Sequence, residues 1–301
     1  MAEALLKTGK HIVTAITRAG SSAELPKGVQ VKHISYDDSS SIIDALRGQD
    51  ALIITMAAGV SHEIDKKLVE AAAEANVPWI FPNEWGTDSA NTAVNQDIKT
   101  VSKLDTRELI KKLGKSSYVG VCTGFWYEWS LGIDLAFGFD FENRHITFYD
   151  DGETRICTST WDQVGRAVAS LMSLPIRSDD ANDKAVCLEN FRNDMVYISS
   201  FTVSQKDMLE SVLRVTQTSM EDWTIVHEPV KARYAAGMEQ LQKGDRMGFA
   251  KLLYARLFYP DDCGNTEKTR GLQNGSLGLP KEDIDEHTKI AIQRAKEGAW
   301  A

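Results

Sequence analysis

The feature that most constrains this chain is an alternation of strand and helix through roughly its first 120 residues, the pattern of a doubly wound parallel sheet. Runs suited to strands lie at His11–Thr17, Val29–Ser35, Ala51–Thr55, Val77–Phe81 and Ser117–Cys122. Helix-patterned segments separate the later ones. The third run, Ala-Leu-Ile-Ile-Thr, is continuously apolar, as a strand covered on both faces must be. In an open parallel sheet, ligands sit beyond the carboxyl ends of the strands. The stretch from Val77 to Arg107 therefore draws attention: a buried strand, a break at Pro82-Asn83-Glu84-Trp85-Gly86, then a basic helix.

Local signals set the predicted elements. Glu3–Lys7 reads as the end of a helix stopped by Gly9. Asp37-Asp38-Ser39 supplies caps for a short helix, Ile42–Leu46, closed by Gly48. Gly59 and Ser61 open a helix with Ile64, Leu68, Ala71, Ala72 and Ala75 on one face, and Asn76 ends it. A further helix is expected over Asn95–Leu113, stopped by Gly114. His145–Phe148 and Glu153–Thr158 read as a hairpin around Asp150-Asp151-Gly152. Thr160 with Gln163 forms a capping box for a helix at Trp161–Ser173, and Ala185–Leu188 reads as a strand. From Ser204 the pattern is mainly helical, at Gln205–Thr216, Val230–Lys243, Asp245–Phe258 and Lys281–Lys296. The loop Tyr259–Leu279 lacks apolar periodicity and is expected to be exposed, or a flap over a site.

The 301 residues suffice for two lobes. A formal charge of −9 argues against nucleic-acid or anionic-membrane partners, because binding phosphate backbones needs clustered Lys and Arg. The four cysteines are widely separated with no C-x-x-C pair, which argues against zinc or a disulfide framework. No apolar run reaches membrane-spanning length, and the first residues form no signal segment, so the expected location is the cytoplasm.

Several motifs in order resemble one family. They are Ala-Ile-Thr-Arg (15–18), Tyr-Asp-Asp (36–38), Leu-Arg-Gly-Gln-Asp-Ala (46–51), the run 68–77, Phe-Pro-Asn-Glu-Trp-Gly (81–86), Lys-x-x-x-Arg (103–107), Asp-Asp-Gly (150–152) and the run 161–169. Together they resemble the NmrA-like and isoflavone-reductase-like branch of atypical short-chain dehydrogenases. The resemblance implies an NADP(H)-binding, Rossmann-like α/β domain at residues 1–158 and a smaller, mainly helical substrate lobe at 159–301, with some segments interleaved. The family opens with a strand and a glycine-rich turn before its first helix, whereas here Met1 falls where that helix is half over. The implied sheet lacks its first, central strand, so the strands at His11 and Ala51 lose the partner between them. The pyrophosphate cradle is lost with it.

The resemblance also assigns site residues. Arg18 would favour a 2′-phosphate, and with it NADP, where an acidic residue would repel it. Ser21 adds a hydroxyl, and Asp37 would lie near the adenine. Met56 and Ala57 follow the third strand, where small residues let a cofactor approach the backbone; Phe81 and Asn83 belong to the same cofactor wall. Lys103 matches the family's catalytic lysine, able to handle a proton once desolvation or a cationic nicotinamide lowers its pKa. Glu84, Trp85, Phe125 and Trp126 would line a pocket for a planar, apolar substrate. Each has a plainer reading. Arg18 is also what a solvated residue after a strand looks like, and Asp37 serves equally as a helix cap. Lys99, Lys103, Arg107 and Lys111 repeat at helical spacing as one basic stripe, and the aromatics serve equally as core.

No histidine has a metal-ligand partner at useful spacing, and no Tyr-x-x-x-Lys occurs. The implied function is an NADPH-dependent reductase acting on a small aromatic or conjugated metabolite. The alternatives are a non-catalytic, redox-sensing dinucleotide-binding protein or a shortened, inactive form.

Overall fold

The computed structural model describes residues 1–57, 60–98, 103–178, 180 and 184–298, apart from the side chains of 103 and 104. The first part of the chain runs α1 (Ala2–Lys7), β1 (Thr14–Arg18), β2 (Gln30–Ile34), α2 (Ser39–Leu46), β3 (Ala51–Ile53) and α3 (His62–Glu74). It continues through β4 (Trp79–Phe81), α4 (Thr92–Ile98), α5 (Lys103–Leu113) and β5 (Ser117–Cys122). The caps are those the sequence offers. The Asp38 carboxylate accepts from the Ser40 N–H ahead of α2, and the Ser61 hydroxyl accepts from Glu63 ahead of α3. Ala58 and Gly59 lie outside the described residues, as do 99–102 within the helix expected over Asn95–Leu113.

The next elements are β6 (Phe125–Trp126), α6 (Tyr127–Leu131), α7 (Asp134–Phe137), β7 (Phe139–Asp140), β8 (His145–Tyr149) and β9 (Ile156–Ser159). Then come α8 (Trp161–Ser173), β10 (Asp194–Tyr197), β11 (Phe201–Val203), α9 (Gln205–Thr216) and β12 (Thr224–Glu228). The chain closes with α10 (Val230–Gln242), α11 (Met247–Leu257), α12 (Thr266–Arg270) and α13 (Ile284–Glu297).

A parallel sheet of order β10-β5-β4-β3 stands beside a separate parallel pair, β1-β2. No ladder joins β1 to β3 among the described residues. Apolar side chains join the two sheets instead. On one side Leu5 of α1 packs with Val168 and Ala169 of α8, against Val13 and Ile53. In a second cluster Ile34 and Ile16 share a core with Ile80, Tyr118 and the apolar faces of α2 and α3. The third layer is α8, whose Val164, Ala167 and Leu171 cover Trp79, Phe81, Val119 and Val121.

A second core gathers Phe125, Tyr127, Phe137, Phe139, Ile146 and Phe148 with residues of α9, α10 and α11. Thus α8 and β10 serve the parallel sheet although they follow residue 158, while β6 to β8 precede it and serve the second core. This interleaving decides how the terminal helix docks. His287 of α13 bonds Glu128 of α6 at 2.8 Å and lies 3.4 Å from Glu282. Glu282 in turn accepts from Thr160 and Ser200 and pairs with Arg166 of α8. Arg294 sits between the Trp129 and Trp161 rings.

Four expectations are corrected. β8 and β9 do not form a hairpin: β8 pairs with β7 and β12, and β9 with β11 and β6. The reason lies in the Asp-Asp-Gly turn. Asp150 is left-handed, donates its N–H to Glu228 and caps Val230 with its carboxylate, so it ties β8 to the start of α10. The strand expected at Ala185–Leu188 is instead the lead into a short 3-10 turn, Leu188–Phe191, because the Asn190 side chain folds back on the Cys187 N–H. The pairing strand is β10, reached through a left-handed Asn193. β12 interrupts the helical tail and pairs in parallel with β8. The Thr160–Gln163 box closes only by half. Thr160 accepts the Gln163 N–H, but the Gln163 amide turns to the Pro280 carbonyl.

The loop 259–279 contains α12 and lies along the edge of β10. There Gln273 exchanges hydrogen bonds with the Tyr197 backbone, and Asn274 with that of Ser199. It covers unpaired strand-edge groups that would otherwise recruit another chain. Among the described residues no helix is long and apolar enough to cross a membrane.

Candidate active site

The carboxyl ends of β1, β2, β3, β4 and β5 carry most of the sequence-derived site residues. At the β1 and β2 ends, Arg18 is exposed and Ser21 closes a tight turn by donating its N–H to the Arg18 carbonyl at 3.1 Å. Tyr36 lies within reach of the Arg18 charge. Burial raises the Tyr36 phenol pKa, and Arg18 pulls against that rise. Lys67 of α3 donates to the Tyr36 carbonyl at 2.7 Å and stands 4.0 Å from the exposed Asp37 carboxylate. Lys67 was not foreseen. Its place on the polar side of α3 was readable, but its reach back across to β2 was not.

At the β3 and β4 ends the loop 82–86 is tied on several sides. The Asn83 amide accepts the Met56 N–H and donates to the Met56 carbonyl, both at 3.2 Å. The Trp85 indole donates to the Ile54 carbonyl at 2.7 Å, and the Trp85 carbonyl accepts from the Trp126 indole at 2.9 Å. Gly86 then bridges to Cys122, so the loop returns to the end of β5. Phe81 is fully buried in the core under α8.

Glu84 and Arg107 meet in a buried ion pair at 3.2 Å, with their side chains 1% and 7% exposed. Ser89 closes a triangle between them. Its hydroxyl donates to Glu84, while Arg107 donates to its carbonyl at 3.0 Å and to its hydroxyl at 3.3 Å. Asp88, next in the loop, accepts from Tyr197 at 3.2 Å and pairs with Arg270 at 2.9 Å. Burial, with Asp88 beside it, pushes the Tyr197 phenol well above its ordinary range. Lys103 opens α5, and its side chain lies outside the described residues, as does all of Lys99.

Phe125 is 7% exposed and stacks on Tyr254 at 4.2 Å between centroids. The cavity it borders measures about 10 Å³, the room of a single water. A groove of about 480 Å³ opens elsewhere, between α1, α8 and residues 277–280. It adjoins none of Glu84, Trp85, Phe125 and Trp126. The structure thus brings Met56, Asn83, Trp85 and Trp126 together and keeps Arg18, Ser21 and Asp37 at a separate, exposed end. Among the described residues no group of three or more His, Cys, Asp or Glu is arranged to hold a metal.

Comparison with known proteins bears on the fold. The chain is 25% identical over 283 residues to the oxidoreductase aprR of Aspergillus flavus, covering 92% of this chain and 89% of that protein. The fold matches a crystal structure of pinoresinol-lariciresinol and phenylcoumaran benzylic ether reductases with a TM-score of 0.73 at 18% identity, over 95% of this chain and 93% of the other. It also matches AtPrR2 with NADP+ and (+)-pinoresinol, with a TM-score of 0.68 at 17% identity, over 96% and 93% of the two chains. Residues 1–132 match the NmrA-like family. With the parallel sheet and the motifs at its strand ends, they make this first part of the chain similar to the NmrA-like family.

Proposed function

We propose that this protein is a cytoplasmic NADPH-dependent oxidoreductase that reduces a small aromatic or conjugated metabolite. The observation that carries the reading is the near-full-length likeness to an oxidoreductase, and parallel strands with Arg18, Met56 and Asn83 at their carboxyl ends support it. The residues fit best at the adenosine end. The exposed Arg18, with Lys67 on the other side of Tyr36, would hold a 2′-phosphate. Ser21 and Asp37 would border the adenosine. The backbone of Met56, held by Asn83, and that of Ala57 after it would border the nicotinamide riboside, with Phe81 as the buried floor beneath. No described residue forms a glycine turn for the pyrophosphate.

Bound NADPH would supply the hydride. The chain's own residues orient the acceptor and manage the proton. Lys103, the first residue of α5, is the proton donor to the oxygen that gains charge. Trp85 and Trp126, linked by one hydrogen bond, form the flat apolar wall against which a conjugated ring would rest.

Titration calorimetry with NADPH and NADH, followed by turnover with 1,4-naphthoquinone, tests the reading. NADPH should bind more tightly than NADH, and Arg18→Ala should cut that preference about tenfold, the worth of one charge-assisted contact. Lys103→Ala should keep NADPH binding and abolish turnover. Binding of NADPH without turnover of any conjugated acceptor would favour a sensing protein. Equal affinity for the two cofactors would overturn the role given to Arg18.

A further inference from the structure

We propose that Asn83-Glu84-Trp85 is a positioning tripeptide, which sets the end of β3 and the first turn of α5 at fixed places around the site through three separate ties. Consecutive side chains reach different partners. Asn83 holds both polar atoms of the Met56 backbone, Glu84 holds Arg107 of α5, and Trp85 holds the Ile54 carbonyl. The Asn83 amide and the Trp85 indole are therefore bonded within the protein, and the Glu84 carboxylate meets Arg107 and Ser89. The Glu84–Arg107 pair is also buried from any ligand.

The Glu84–Arg107 tie bears most directly on chemistry. Arg107 lies four residues after Lys103, one helical turn along the same face. An exposed pair would constrain α5 little, because water and side-chain entropy would loosen it. This pair is almost fully buried and braced by Ser89 from the same loop, so the charges act at low dielectric. Loop 84–89 and α5 cannot slide apart without leaving a charge in a dry place. The inference rests on the reductase reading for its consequence, since it is the first turn carrying Lys103 that the pair fixes.

The test uses the full chain with two variants. Glu84→Gln keeps the shape and removes the charge. The double variant Glu84→Gln/Arg107→Met removes both charges, so its folding is not burdened by an unpaired one. Amide exchange is read at residues 107–110, whose N–H groups close the first turn of α5. In Glu84→Gln this exchange should rise about tenfold while α3 and α8 keep their protection. Turnover of 1,4-naphthoquinone with NADPH should fall about 10- to 100-fold in kcat, the cost of a misplacement near 1 Å, with KM for NADPH within about twofold. The double variant should regain the melting temperature and keep the low kcat.

Wild-type exchange in both variants would overturn the proposal. So would a double variant that recovers kcat along with its melting temperature, since the pair would then be a stability element only. If the wild-type chain neither binds NADPH nor turns over the quinone, the reductase reading fails. Exchange at 107–110 then decides the positioning by itself: a rise supports it and no change overturns it.

Discussion

Two buried charge networks hold this molecule together at places where apolar packing alone would leave elements free to shift. At the strand ends, Glu84, Arg107 and Ser89 close on one another between a loop and α5. Beneath the terminal helix, Glu128, His287, Glu282 and Arg166 link α6, α13 and α8. Both are mostly buried, though Arg166 is 36% exposed, and they differ in one component: the second contains a histidine. A network of carboxylate and guanidinium is a fixed brace near neutral pH, whereas one that passes through an imidazole has a strength that depends on proton supply. The docking of α13 is thus held by the kind that responds to pH.

Removing one partner of the Glu84–Arg107 brace should have the largest effect. Arg107→Met takes the cation from a Glu84 that is 1% exposed, and should cost about 3–5 kcal/mol of unfolding free energy by chemical denaturation. Adding Glu84→Gln should return most of that loss. At the other network, His287→Ala leaves Glu128 and Glu282 without the cation between them and should cost about 2–4 kcal/mol. A loss below about 1 kcal/mol in the first variant would make the strand-end brace an ordinary contact.

The pH response sharpens the contrast. Hydrogen bonds to Glu128 and then Glu282 raise the His287 pKa to about 9, against an ordinary 6.5, although burial opposes the charge. A raised folded-state value means that this stabilisation is complete below about pH 6.5 and is lost as pH rises through about 9. Glu282 runs the other way. Burial works against its charge, but hydrogen bonds from His287, Ser200 and Thr160, with the Arg166 charge, outweigh it and hold the pKa at about 2. Its share is present above about pH 4.5 and lost as pH falls toward 2. Stability measured by denaturant midpoint should therefore peak between pH 4.5 and 6.5 and decline by about 1–3 kcal/mol toward pH 9.5. His287→Gln should remove the alkaline decline. A decline that persists in that variant would assign it to another group.

Much of the fold is legible in the sequence, and the reason is local. The parallel strands, the Asp38 and Ser61 caps and the apolar face of α3 follow from periodicity and cap chemistry, which act over a few residues. β12 was not legible, because Thr-Ile-Val-His-Glu becomes a strand only when β8 pairs with it from 79 residues earlier, as in Thr224 opposite His145. The same limit applies at the site. Glu84 and Arg107 both stood in quoted motifs, but nothing in either motif says that they bond to each other. The resemblance makes Asn83 a cofactor contact, and only the geometry shows its amide occupied by Met56. Phe125 followed the plainer of its two readings, stacked on Tyr254 in the second core.

The smallest expected effect tests whether α13 is held by its charges or by their surroundings. Arg294 lies 4.9 Å from the Trp129 ring centroid and 4.6 Å from that of Trp161, so one guanidinium bridges α6 and α8. Two cation–π contacts at a partly desolvated place are worth about 1 kcal/mol together, after the side-chain entropy they cost. Arg294→Lys keeps the charge but loses the flat group that stacks between two rings. It should therefore weaken the helix almost as much as Arg294→Met, by about 0.5–1 kcal/mol. Neither change touches His287, so both variants should retain the full alkaline decline. A lysine variant with wild-type stability would mean that charge alone matters there, and the two networks would then differ only in their response to pH.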